Sequence, residues 1–214
     1  MYALDTDQLL SRLDHGDDAV LGDLLSVFRE RLRAMIRLRM DRRLQGRLDE
    51  SDVIQDAYLE ATSRIQEYIE NKPMPFFLWL RSLAGEQLIN QQRRHLGAAR
   101  RDVRREISLY QHVPDASSAL LAARLVGAIT APADAAIRHE NKLEMERALE
   151  SLSEVDREIL ALRHFEQMSR RETSLVLGIS CEACSKRYVR AMKRLGLAIE
   201  SPAATQEESR RDDE

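Results

Sequence analysis

The segment from Ser169 to Leu195 constrains the fold more than any other part of the sequence. Ser169-Arg170-Arg171-Glu172 has the form of a capping box, in which the serine hydroxyl and the glutamate carboxylate satisfy each other's orphan backbone donors. A short helix follows, with Val176 and Leu177 predicted to face inward. Gly178 then permits a tight reversal that a side chain would obstruct. Ser180 is placed to cap a second helix, predicted from Cys181 to about Leu195. Two short helices joined through Gly178-Ile179-Ser180, with an apolar residue in the turn, make a helix-turn-helix.

On that second helix Cys184, Tyr188, Ala191 and Leu195 recur at helical spacing and are expected to pack the core. Glu182, Ser185, Lys186, Arg187 and Arg190 then point largely outward. They lie early enough on the helix to enter a DNA major groove or meet its flanking phosphates. Glutamate can accept from cytosine, while arginine and lysine can donate to guanine or phosphate. An ordinary solvated face, or one that binds protein, is the competing reading of the same charges.

The rest of the chain also reads as helix. Its 8 Gly and 5 Pro in 214 residues are too few for a β fold built on many tight turns, and Leu, Ala, Arg and Glu dominate. A helical stretch is predicted from Asp5 to Arg43, interrupted near His15-Gly16-Asp17. Its apolar positions Leu21, Leu24, Leu25, Phe28, Leu32, Met35 and Ile36 recur every three or four residues. Gly46 marks a break, and Asp49-Glu50-Ser51-Asp52 supplies acids and a cap for the next helix. That helix carries Val53, Ile54, Ala57, Tyr58, Ala61 and Ile65 on one stripe and should end before Asn71-Lys72-Pro73-Met74-Pro75. Another starts near Phe76, with Phe77, Leu80, Leu83, Ala84 and Leu88 inward, and runs into the basic sequence around Arg93 and Arg94.

From Ser108 to Arg138 the pattern loosens, with room only for a short helix near Leu120 to Val126. The expected organisation is all-α. Two small helical domains, 1–107 and 139–200, flank a flexible linker at 108–138, and an acidic tail at 201–214 is predicted to be disordered. In the second domain Ser153 with Asp156 begins a helix predicted to bury Val155, Ile159, Leu160 and Leu162.

A formal charge of -3, from 33 basic and 36 acidic residues, argues against a generally sticky polyanion binder. The distribution is uneven, however. Basic runs at Arg31 to Arg47, Arg93 to Arg105 and Lys186 to Arg194 create three strong local fields. No apolar run approaches the length of a membrane span. The beginning of the sequence lacks a basic segment leading into an apolar one, and with 2 Cys a reducing cytoplasm is the simplest home.

Taken together, the two modules resemble the sigma-70 family, specifically its short extracytoplasmic-function group, which retains the second and fourth conserved regions. Leu152 to Leu195 resembles the fourth region. Arg157 to Phe165 looks like its first half, Met168 to Ser180 its supporting helix and turn, and Ala183 to Arg187 with Ala191 to Leu195 its recognition helix. The form Cys184-Ser185-Lys186-Arg187-Tyr188 is similar to variants in planctomycete members. In the N-terminal half, Asp52-Val53-Ile54-Gln55-Asp56-Ala57-Tyr58 resembles the core-polymerase-binding helix. Phe76 to Arg81, with Leu88-Ile89-Asn90 and Arg93-Arg94, looks like the part that opens and reads the -10 element. Leu175 and Thr173 depart from the usual pattern of the supporting helix.

The resemblance implies that Asp52, Gln55 and Asp56 dock on the β′ clamp helices of core RNA polymerase, which also contacts the chain through its β subunit. It implies that Trp79, Arg81, Asn90, Arg93 and Arg94 meet the -10 element, although a core role for Trp79 is at least as well supported. Ser180, Glu182, Ala183, Ser185, Lys186, Arg187 and Arg190 would meet the -35 element. Promoter DNA and core polymerase are the implied partners, with an anti-sigma factor a frequent further one in this group, and no membrane insertion is expected. No catalytic constellation, cofactor motif or metal site is read. The five histidines are scattered, and Cys181-Glu182-Ala183-Cys184 has no second cysteine pair. The rival reading is a non-sigma helix-turn-helix regulator with an N-terminal effector or dimerisation module; it leaves the Asp52 to Arg94 pattern unexplained.

Overall fold

The computed structural model describes residues 6–17, 19–96, 114–129 and 135–200, all in helices or the short connections between them. The chain divides into two compact units, Met1–Pro114 and Asp115–Glu214.

In the first unit, helix α1 (Thr6–Asp14) ends at the predicted interruption, where Gly16 takes a φ of 84° and Arg12 pairs with Asp17 at 2.7 Å. Helix α2 (Val20–Arg39) buries every apolar position anticipated for it. A single 3-10 turn (Arg42–Leu44) leads to Gly46, also at positive φ, and Asp49 caps α3 (Glu50–Asn71) by accepting from the Ser51 amide at 2.7 Å. Helix α3 ends at Lys72 in a left-handed conformation, and α4 (Phe76–Leu96) begins directly after Pro75.

Aromatic contacts lock these helices. Phe28 of α2 meets Phe77 of α4 with ring centroids 5.3 Å apart, and Tyr68 of α3 stacks on Trp79 at 4.6 Å and meets Phe76 edge-on at 5.4 Å. The Tyr58 hydroxyl donates to the Leu25 carbonyl, so α3 is also tied to the α2 backbone. Desolvation pushes both the Tyr58 and the Tyr68 phenol up to about 12.

In the second unit, α5 (Ser118–Ile129) packs on α6 (Ala135–Glu150), with Leu121 and Ala122 fully buried. This helix lies inside the span read as linker and is longer than the Leu120 to Val126 segment anticipated there. Arg124 is its one charged residue, so no polar face sets a phase for the apolar ones around it. Residues 97–113, 130–134 and the tail at 201–214 lie outside the described residues, including Arg100, Arg101, Arg104 and Arg105.

Helix α7 (Glu154–Leu160) starts at Ser153, whose hydroxyl accepts from the Asp156 amide at 3.2 Å, and continues into a π-helical turn (Ala161–Phe165). Ile159, Leu160 and Leu162 are buried as anticipated, but Val155 is 39% exposed. Asp156 takes the inward position instead. Its carboxylate lies against two arginines of the last helix.

Helix α8 (Arg170–Leu177) carries the complete capping box. The Glu172 amide donates to Ser169 Oγ at 3.1 Å, and the Ser169 amide donates to Glu172 Oε2 at 2.7 Å. Gly178 follows at φ 64°, in the left-handed region where a side chain costs about 1–2 kcal/mol. Helix α9 (Cys181–Glu200) completes the helix-turn-helix and extends a turn beyond the predicted end at Leu195.

Candidate nucleic-acid interface

The orientation of α9 is fixed from three sides. Its start is held by Ser180, whose Oγ accepts from the Ala183 amide at 3.1 Å. Cys184, Ala191 and Leu195 are buried beneath it, as the spacing predicted. Tyr188 is only half-buried: its hydroxyl is hydrogen-bonded to His164 Nε2 at 3.0 Å, and the Arg163 guanidinium lies 5.7 Å from its ring centroid. A tyrosine at the edge of a core can bury its ring and still keep a polar partner. Burial, together with the Arg163 charge, lowers the His164 pKa, which favours the neutral ring.

The third constraint is Asp156. Its side chain is 3% exposed and accepts from Arg194 Nη1 at 2.9 Å, with Arg187 Nε 3.7 Å away. One carboxylate on α7 therefore holds two arginines along one flank of α9. The sequence presented Asp156 only as the partner of a helix cap, and nothing local revealed contacts 31 and 38 residues further on.

With the core face down and the Asp156 flank closed, the outer face of α9 presents Glu182, Ala183, Lys186, Arg190 and Lys193, all exposed. Glu182 and Lys186 pair at 2.6 Å one helical turn apart. Such an exposed pair is worth only about 0–1 kcal/mol, so both groups can be redirected to a ligand at little cost. Arg187 differs from them because it leans toward Asp156. Ser185 is also engaged, donating to the Cys181 carbonyl at 3.0 Å and accepting from Arg170 Nη1 at 3.4 Å. Arg170 and Arg171, exposed at the start of α8 inside the capping box, add basic groups beside α9.

In the first unit, Asn90, Arg93 and Arg94 are exposed on the last turns of α4. Their neighbours explain why. Gln91 donates to Asp56 Oδ2 at 2.8 Å and Gln92 donates to the Arg39 carbonyl at 3.1 Å, so the two amides pin α4 to α3 and α2 and turn the basic residues out. Trp79 and Arg81 do not join them. Trp79 is 8% exposed in its stack on Tyr68, and Arg81 is 1% exposed, so both are core residues here. Helical spacing accounts for their burial: Trp79 lies on the flank of the buried Phe76 and Leu83, and Arg81 on that of the buried Phe77 and Ala84.

Asp52 and Gln55 are exposed on α3, whereas Asp56 is half-buried and accepts from Gln91. Leu59 lies one turn further along the same strip and is 65% exposed, a large apolar side chain among polar ones. It falls off the buried stripe of α3, which is the signal that could have singled it out.

Residues 142–195 match the family model described as sigma-70, region 4, so the second unit carries a region 4 helix-turn-helix. Among solved structures, the chain is similar to one in the structure of CnrH in complex with the cytosolic domain of CnrY. That match has a TM-score of 0.51 and 20% identity, and covers 92% of this chain and 98% of the matched one. At that identity the likeness concerns the fold. No curated protein sequence matches the chain.

Proposed function

We propose that the chain is a sigma subunit of the extracytoplasmic-function group, which binds core RNA polymerase and directs promoter-specific initiation from the cytoplasm. The observation that carries this reading is the capped helix-turn-helix within residues that match sigma-70 region 4, with α9 presenting an acidic acceptor and basic donors on its outer face. Glu182, Lys186 and Arg190 would read or approach the -35 element. Ser180 and Ala183 would bring the helix N-terminus to the backbone, and Ser185, Arg187, Arg170 and Arg171 would add phosphate contacts.

The first unit supplies what a DNA-binding regulator alone would not need. Asp52, Gln55 and Asp56 would meet a basic surface on the β′ clamp helices, with Leu59 as the apolar centre of that contact. Asn90, Arg93 and Arg94 would hold the separated strand at the -10 element, using binding energy rather than nucleotide hydrolysis. A cytosolic regulator docking on the chain, as the cytosolic domain of CnrY does on CnrH, belongs to the same reading.

Transcription from a library of promoter DNA by purified core polymerase, with and without the chain, tests this. Start sites that appear only with the chain and share two spaced elements are expected. Sequence-specific DNA binding without any association with core polymerase would instead identify a helix-turn-helix regulator.

A further inference from the structure

The first turn of α9 holds a feature that DNA reading does not use. Cys181 opens the helix and is exposed, and its sulfur lies 3.2 Å from Ser174 Oγ on α8. Cys184 follows three residues later and is buried beneath the same helix. Residues three apart on a helix share a flank, so an accessible thiol sits one turn above an enclosed one. We propose that Cys181 and Cys184 form a redox-active dithiol, which low-molecular-weight disulfides convert to an internal disulfide within the first turn of α9.

The geometry permits the bond but not without distortion. Helical residues three apart have Cα atoms about 5 Å apart, inside the range of roughly 4.4–6.8 Å that disulfides span. Their Cβ atoms, however, are about 5–6 Å apart in an undistorted helix, against roughly 3.5–4.5 Å in a disulfide. Closing the bond must therefore tighten the turn that carries Glu182 and Ala183 and strain the cap from Ser180 to the Ala183 amide.

The two sulfurs have unequal roles. Burial pushes the Cys184 thiol up, and the Arg163 and Arg170 charges oppose this only in part, so the accessible Cys181 is the attacking group. Its thiolate attacks one sulfur of an external disulfide, forming a mixed disulfide and releasing one thiolate. Cys184 then loses its proton to the medium and displaces the second thiolate from Cys181. Two protein thiols are oxidised and one external disulfide is reduced to two thiols. The consequence for DNA rests on the function proposed above, but the dithiol chemistry does not.

The full-length chain is equilibrated with glutathione and glutathione disulfide at several ratios, trapped with acid and alkylating agent, and analysed by peptide mass spectrometry. The wild type is expected to lose two hydrogens within the Cys181–Cys184 peptide and to hold no lasting glutathione adduct. Cys184→Ala is expected to stop at the adduct on Cys181, and Cys181→Ser, a substitution at an exposed site, to form neither product. Amide exchange from Ala183 to Ser185 should accelerate by at least about tenfold in the oxidised chain, with loss of retention on DNA. A stable wild-type adduct without the internal bond, or a bond that leaves exchange unchanged, overturns the proposal. If the disulfide forms and exchange accelerates while the reduced chain binds no DNA, the dithiol stands and the DNA-reading assignment fails.

Discussion

Removing the Asp156 carboxylate should loosen α9 more than any surface substitution in the second unit. The Arg194 contact, at 2.9 Å on a carboxylate 3% exposed, is a charge-assisted hydrogen bond, of a kind worth about 1.5–3 kcal/mol. The Arg187 contact is longer at 3.7 Å, and its arginine is 38% exposed, so it adds less than about 1 kcal/mol. Both arginines can rehydrate when the carboxylate is lost, which keeps the cost below the roughly 3–5 kcal/mol of stranding a buried charge. Asp156→Ala is therefore expected to cost about 2–3 kcal/mol. The single Trp79 reports on the first unit, so the assay is urea-dependent amide exchange read on α7 and α9 peptides. A double-mutant cycle with Arg194→Met isolates the pair and should give a coupling of about 1–2 kcal/mol. Coupling below about 0.5 kcal/mol would refute the claim that this carboxylate positions the helix.

Four further outcomes follow from the same contacts. Gly178→Ala, whose added Cβ would meet nothing within 4 Å, should lose about 1–2 kcal/mol through backbone conformation alone, measured by the same amide exchange. Because the His164 pKa is below its ordinary 6.5, the folded chain binds fewer protons than the unfolded one as pH falls through that value. Stability is then fullest above 6.5 and declines toward the folded pKa, so the second unit's melting temperature should drop between about pH 7.5 and pH 5.5, and less in His164→Gln. Leu59→Asp should weaken association with core polymerase at least about tenfold without altering unfolding, since the side chain is already in solvent. Lys186→Ala or Arg190→Ala should each reduce the slope of log affinity for DNA against log salt by about 1, in filter or anisotropy titrations.

The elements of this fold were written in local chemistry wherever a cap or turn has a short signature. The Ser169 and Glu172 box, Gly178, Asp49 and the Pro75 boundary each act over a few residues, and each stands where the sequence placed it. Contacts between distant segments were not legible. Valine is apolar, so local pattern points Val155 inward, but the arginines that draw Asp156 inward lie a helix-turn-helix away. Trp79 and Arg81 occupied positions that the family resemblance assigns to DNA, while the aromatic partners Tyr68 and Phe76 enclose the tryptophan. Conversely Gln91 and Gln92, two unremarkable amides, determine which side of α4 shows Asn90, Arg93 and Arg94.

Strand opening by core polymerase is the most direct test of the sigma assignment. On a promoter selected from the library, permanganate reactivity of thymines upstream of the start site is compared for core polymerase with and without the chain, with no nucleotide added. Reactive thymines over the -10 element only when both proteins are present, diminished in the Arg93→Ala/Arg94→Ala variant, are the predicted result. Duplex DNA that stays closed although the chain and polymerase are both bound, or that opens only when a hydrolysable nucleotide is supplied, would contradict it.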